Sequence, residues 1–350
     1  MKNYLTLGLI LSLTLVAAQN NDSDITLDSS DSNIVNAAQA GSSNYVKIKA
    51  TNSSDQNFVY VGQSGNGNKS KLKLKSDANK NLVLIGQTGT KNKSELLVKK
   101  SNANKIVISQ KGYKNITAPS ITKGDKNAIF VAQRGTKNDA DPDIFSDSNK
   151  NRIFIAQRGT KNDADPDIFT DNSNENEIYI AQKGYKNDAD PDLRGGQNTV
   201  IISQKGSKND ADPDILANPS YKNLIVVSQR GYKNDADPDI WNGDSDRNAI
   251  YVAQKGSKND TGVYLDNDSD RNTIGISQVG SKNFADVNYD ESNRNTSTIT
   301  QKGNTNQSEI NMIMSSLNSI NVLQMGAEHF SNVSMSNANM NSINVLQSGN

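Results

Sequence analysis

The sequence predicts an all-β chain: a parallel β-solenoid of about 14 stacked coils, each a strand, a turn and a second strand within about 24 residues. Three observations predict it. A template of Asn, five residues, Gln, any residue, Gly, two residues and Asn can be laid on the chain fourteen times from Asn33 onward. Within each copy the apolar residues alternate with period two, the period of a strand. The 350 residues are only 33% hydrophobic and 5% aromatic, with a mean hydropathy of -0.70. So little apolar area supports a core only if it recurs at fixed positions and stacks on its own copies.

Charge and cysteine usage narrow the function. The 38 basic and 38 acidic residues balance, which argues against nucleic acid as a partner. Cysteine is absent and histidine occurs once, which removes disulfides and thiolate sites.

In chain order, residues 1–18 read as a secretory signal peptide. Lys2 precedes an apolar run from Leu5 to Val16, and the small residues Ala17 and Ala18 precede Gln19. The run falls well short of the roughly 20 residues a spanning helix needs, and no later segment is apolar enough to be an integral membrane segment. The expected location is secreted, extracellular or cell-surface. Residues 19–32, "QNNDSDITLDSSDS", read as a flexible polar leader, and residues 33–350 as the repeat solenoid.

In the repeat beginning at Asn127, one parity carries Asn127, Ile129, Val131, Gln133 and Gly135; this set is expected to face inward. The turn to the second arm ends at Asn138, and the next copy repeats the pattern as Asn151, Gln157, Gly159 and Asn162. Buried amides are costly unless paired, at about 1 to 3 kcal/mol for each unsatisfied group. Stacking gives Gln133 a partner in Gln157 and Asn127 one in Asn151, as amide ladders with a rise of about 4.8 Å per coil. Glycine at 135 and 159 allows backbone conformations closed to other residues. His329 stands where the thirteenth copy should have its turn asparagine, and reads as a substituted ladder residue.

The second arm changes character in mid-chain, where "NDADPD" followed by Ile or Leu occurs five times, with Pro142, Pro166, Pro191, Pro213 and Pro238. Proline cannot donate to a strand ladder, so this arm is expected to be a bend or an irregular edge. Asp139, Asp141 and Asp143, with Asp163, Asp165 and Asp167 in the next copy, then form like-charged columns that repel unless neutralised. The first reading is neutralisation by the chain's own basic columns, Lys137 and Lys161 before the turn asparagines and Arg134 and Arg158 beside the turn glycines. The second is calcium, because carboxylates at alternate positions are hard oxygen ligands, although the glycine and distal glutamate of an EF-hand are missing.

On the outward parity of the first arm, Tyr60, Leu84, Val107, Phe130, Phe154, Tyr179, Ile201, Val226 and Tyr251 make an apolar column beside a column of Gly, Ala and Ser. A stripe of this kind fits lateral contact between rods or adhesion.

The spacing Asn-x5-Gln-x-Gly-x2-Asn-x-Ala, from Asn127 through Gln133, Gly135 and Asn138 to Ala140, resembles the repeat of curlins, the subunits of curli functional-amyloid fibres. That resemblance covers nearly all of residues 33–350. It implies self-association into fibres, a nucleator subunit, an outer-membrane secretion pore and a role in biofilm matrix and adhesion. The chain departs from the family where a second glutamine is usual: the second arm holds Ile144, Ile168, Leu193, Ile215 and Ile240. The expected function is a secreted structural subunit that polymerises by end-to-end stacking of coils. The chain closes on "NVLQSGN", half a repeat with no capping helix, which favours that stacking. The alternative is a non-polymerising surface stalk or adhesin, stiffened by calcium through the aspartate arms. No catalytic constellation or cofactor motif is present, so no enzyme is expected.

Overall fold

A computed structural model describes residues 20–145, 147–169, 173–217, 220–241, 243–291, 293–314, 316–337 and 339–349. The signal peptide expected at 1–18 lies outside the described residues. Within them every regular element is a β-strand, and no helix is long and apolar enough to cross a membrane. The fold is a parallel β-solenoid, in two units: residues 1–160 and 161–350.

In the first unit the first arms, from Ile34–Ser42 to Arg152–Thr160, pair in parallel and in chain order. The register never slips, so Gln39, Gln63, Gln87, Gln110, Gln133 and Gln157 are successive neighbours. The second arms pair the same way on the opposite side of a thin core, from Tyr45–Thr51 through Lys69–Lys75 and Lys93–Lys99 to Asp143–Ile144. The second unit repeats the plan: first arms from Glu177–Tyr185 to Ser342–Ser348, and full second arms from Asp235–Ile240 to Phe330–Ser336.

Alternation decides what is buried. Ile129, Val131, Ile153 and Ile155 of the first arms and Ile121 and Ile144 of the second are almost wholly buried, each stabilising the fold by about 1.5 to 3 kcal/mol. A single coil cannot do this, because its inward side chains are covered only by the coils above and below.

The stretch expected to be a flexible leader is corrected in part. Asp22–Asp28 is a strand, paired in register with Tyr45–Thr51. Its cause is a half-repeat that the template misses for want of a preceding Gln-x-Gly: Ile25 and Leu27 stand opposite Ile48 and Ala50. Asn21 takes the turn-asparagine role, accepting from the Asn44 N–H at 2.9 Å and donating to the Gly41 carbonyl at 3.1 Å.

Proline acts on the second arm as expected in four copies and not in the fifth. Strand pairing shrinks to Asp143–Ile144, Asp167–Ile168, Asp192–Leu193 and Asp210–Ala211, yet Asp235–Ile240 runs as one strand through Pro238. The prolines sit on the buried parity and not at an outer bend. By the register, the ring of Pro213 withholds the N–H that would have reached the carbonyl of Asp190. Its neighbours keep theirs, with Ala211 N–H donating to Asp188 and Ile215 N–H to Asp192.

The turn between the arms uses two unusual backbone positions. Gly135 has φ +130°, and a Cβ there would fall on the carbonyl oxygen of Gly159 in the next coil. Two residues later Lys137 is left-handed at φ 55°, and Lys126 and Lys150, before the other asparagine, are likewise at 59° and 58°. The sequence reading assigned the corner to glycine alone, but lysine takes the left-handed step because its side chain leaves into solvent. We expect Gly135→Ala to destabilise the fold by about 3 kcal/mol or more, from strain and steric conflict with the next coil. Lys137→Gly is expected to change stability by no more than about 1 kcal/mol. Urea unfolding of the two variants checks both.

Candidate functional site

The repeated surface is built from the amides outward. Asn127, Gln133, Asn138, Asn151, Gln157 and Asn162 are all buried, and Gly135 and Gly159 share the positive-φ turn. A core glutamine donates both to the next glutamine and to a second-arm carbonyl. Gln133 Nε2 reaches the Gln157 Oε1 at 2.9 Å and the Ile116 carbonyl of the second arm at 2.7 Å, so it ties coil to coil and arm to arm. In the second unit the chain of donations runs from Gln182 to Gln204, Gln229, Gln254, Gln278, Gln301, Gln324 and Gln347.

The asparagines point the other way. Asn138 donates through both its backbone N–H and its Nδ2 to Oδ1 of Asn115, each at 3.1 Å, and its Nδ2 also reaches the Gly159 carbonyl at 3.1 Å. Asn151 N–H donates to Asn127 Oδ1 at 2.8 Å, and Asn127 Nδ2 to the Ser148 carbonyl at 2.8 Å. In the second unit Asn187 donates to Asn162 Oδ1 at 3.0 Å. Because each amide nitrogen also faces a carbonyl, which can only accept, the orientations are fixed. Glutamine ladders donate toward the C-terminus and asparagine ladders toward the N-terminus. His329 occupies the turn position, its N–H donating to Asn306 Oδ1 at 3.2 Å and its Nε2 lying 3.0 Å from the Met325 carbonyl.

A residue type that pattern reading missed completes the core network. Thr117 Oγ1 donates to Gln133 Oε1 and accepts from Gln110 Nε2, each at 2.9 Å, and Ser70 and Thr261 bridge successive glutamines in the same way. The signal was a hydroxyl two residues after the turn asparagine. In the "NDADPDI" copies alanine stands there, and the glutamines rely on aspartate carbonyls such as that of Asp139 for Gln157.

The aspartates lie on the outward parity of the second arm, with Ala140, Pro142 and Ile144 buried between them. Asp139, Asp141 and Asp143 belong to the first unit, and Asp163, Asp165 and Asp167 to the second. The described ion pairs join Lys47 to Asp24 and Lys71 and Lys93 to Glu95, and the Lys93 charge also favours the ionised form of Asp139 against the effect of burial. Of the lysines before the turn asparagines, Lys114 lies over the Tyr113 ring at 5.1 Å and Lys186 over Tyr185 at 5.5 Å, at the end of the first arm.

The carboxylates do not converge. Among the described residues no three His, Cys, Asp or Glu side chains could hold one metal ion. Alternate positions on a flat arm spread the oxygens as a lattice, whereas calcium takes six to eight around a point.

Crowding raises the aspartate pKa values. Partial enclosure of the carboxyl groups, then like charges on neighbouring aspartates, push Asp214 up to about 8 and Asp190 up to about 7, and Asp212 up to about 6. Burial also raises Asp139 in the first unit.

The apolar stripe is in register within each unit: Tyr60, Leu84, Val107, Phe130 and Phe154 in the first, and Tyr179, Ile201, Val226 and Tyr251 in the second. Phe130 and Phe154 stack at 4.8 Å between centroids, and Lys105 lies 5.3 Å from the centre of the Phe130 ring. Tyr179 donates its hydroxyl to Glu177 at 2.9 Å. Tyr60, Ile201 and Tyr251 stay exposed, at 43%, 37% and 44%, whereas the two phenylalanines are half-buried.

The raised carboxyl pKa values fix the sign of the pH dependence. An unfolded aspartate loses its proton near 3.8, while the folded chain retains protons up to the raised values. Stability is therefore full below about pH 4 with respect to these groups and falls as pH rises toward 8. We expect the melting temperature to be lower at pH 8 than at pH 5, and Asp190→Asn with Asp214→Asn to flatten that slope in calorimetry. A chelator is expected to leave the melting temperature unchanged, and a drop of several degrees would restore the calcium reading. No protein-family model matches the chain, and no curated protein sequence matches it.

Proposed function

We propose that the chain is an exported structural subunit that polymerises end to end into a curli-like extracellular fibre. The observation that carries this reading is that neighbouring coils meet by one repeated contact: paired backbone, a glutamine donating one way and two asparagines donating the other. A contact that any coil makes with the next within a chain is available between the coils of two chains. Opposed ladder polarity adds direction. Glutamine donors meet glutamine acceptors only when copies stack head to tail, which generates an open filament in place of a closed dimer.

Among the described residues, Ser342–Ser348 pairs on one side only, with Ser319–Ala327. Its inward residues are only half-buried, and Leu346 is 69% exposed. Ile34–Ser42 is likewise paired only with Phe58–Asn66. The curlin-like repeat supports the same assembly, and with it export by a signal peptide, a secretion pore, a nucleator subunit and a place in biofilm matrix and adhesion. The exposed rings of the first-arm stripe fit lateral packing of such fibres.

The chain from Gln19 onward, diluted from denaturant, is expected to give a lag, then thioflavin-positive fibres in electron micrographs, and to lose its lag when seeded. A folded monomer that never elongates with seeds would leave the stalk or adhesin in its place. Replacing Phe130, Phe154 and Tyr179 together by Thr is expected to leave single fibres intact and reduce their bundling.

A further inference from the structure

The second arm carries opposite charges at the same repeat positions in different parts of the chain. After Asn68, the first, third and fifth residues are Lys69, Lys71 and Lys73; after Asn209 they are Asp210, Asp212 and Asp214. The lysine coils are in register, with Lys49 beside Lys73 and Lys75 beside Lys99. Lys47, Lys71 and Lys93 are held by acidic neighbours. Lys49, Lys69, Lys73, Lys75 and Lys99 are in none of the described ion pairs; Lys69 only overlies the Tyr45 ring, at 5.6 Å.

In the second unit Asp210 pairs in register with Asp235. Asp188, Asp190, Asp210, Asp212, Asp235 and Asp237 are exposed and, like the lysines, are absent from the described ion pairs. Asp214 and Asp239 behind them accept backbone N–H groups of the preceding coil at 3.0 and 3.2 Å.

We propose that the lysine face of the first unit docks on the aspartate face of the second unit of another copy of this chain. Both faces are outward sides of second arms, so both present charge on one grid, about 4.8 Å between coils and about 6.6 Å between alternate residues. Each lysine row can therefore lie over an aspartate row without a change of spacing. Each face alone is crowded with like charge, and opposition relieves both. A formal net charge of zero leaves no global repulsion against association. Single exposed pairs stabilise little, but arrays of matched sign set register and speed encounter. The contact uses second arms, whereas end-to-end growth uses coil edges and the apolar stripe lies on first arms.

Sedimentation velocity on the full folded chain, before seeding, tests the proposal. At pH 8, where Asp190 and Asp212 are ionised, association is expected at about 20 mM salt and loss of it at about 500 mM. Lys49, Lys69, Lys73 and Lys75 changed together to Glu, or Asp190, Asp212 and Asp237 changed together to Lys, should each weaken self-association at least tenfold. An equimolar mixture of the two variants should associate again, because the acidic charge added to the first-unit face of one then opposes the basic charge added to the second-unit face of the other. Circular dichroism reports whether each variant folds; if the Glu set does not, the same lysines changed to Gln serve, again with at least tenfold weakening. Association that survives high salt or either reversal overturns the proposal, as does a wild-type chain that binds polyglutamate but not itself. Seeded elongation is read separately, so end-to-end growth and face-to-face docking stand or fall independently.

Discussion

Every other feature of the structure depends on one constraint: a buried amide must find its partners, and in a thin core those partners are in the neighbouring coil. An orphaned amide costs about 1 to 3 kcal/mol, which a coil with four or five buried aliphatic residues cannot absorb repeatedly. Gln133 meets the constraint with Gln157 above it and the Ile116 carbonyl across the core. That double use locks the register of both arms at once, because a slip of one residue would turn every amide outward and every charged residue inward.

The same constraint explains the turn. For Asn138 to reach Asn115 and the Gly159 carbonyl together, the chain must reverse within a few residues. Glycine at 135 gives the close approach and lysine at 137 the left-handed step. The backbone strain is small beside the hydrogen bonds it permits, and the corner recurs in coil after coil at the same offset.

With the interior so repetitive, difference resides outside. The second arm shifts from lysine to aspartate while its buried parity changes from Ser70, Leu72 and Leu74 to Ala140, Pro142 and Ile144. A solenoid tolerates such change because outward side chains do not enter the core. Parallel register also makes it cumulative: one aspartate is unremarkable, and a column of them raises carboxyl pKa values through partial enclosure and mutual repulsion.

The sequence by itself determined the repeat, its length, the inward parity and the identity of the ladder residues, because period-two alternation and the Asn, Gln and Gly offsets are local and recur. It did not reveal the strand at Asp22–Asp28, a half-repeat without its glycine turn, or the threonine and serine bridges between glutamines, a short signal carried by few copies. Only the tertiary structure decided the polarity of the ladders and the left-handed lysine at the turn. Those outcomes depend on what lies in the next coil, some 24 residues away in the chain and about 4.8 Å away in space, and on a left-handed backbone step that lysine does not announce.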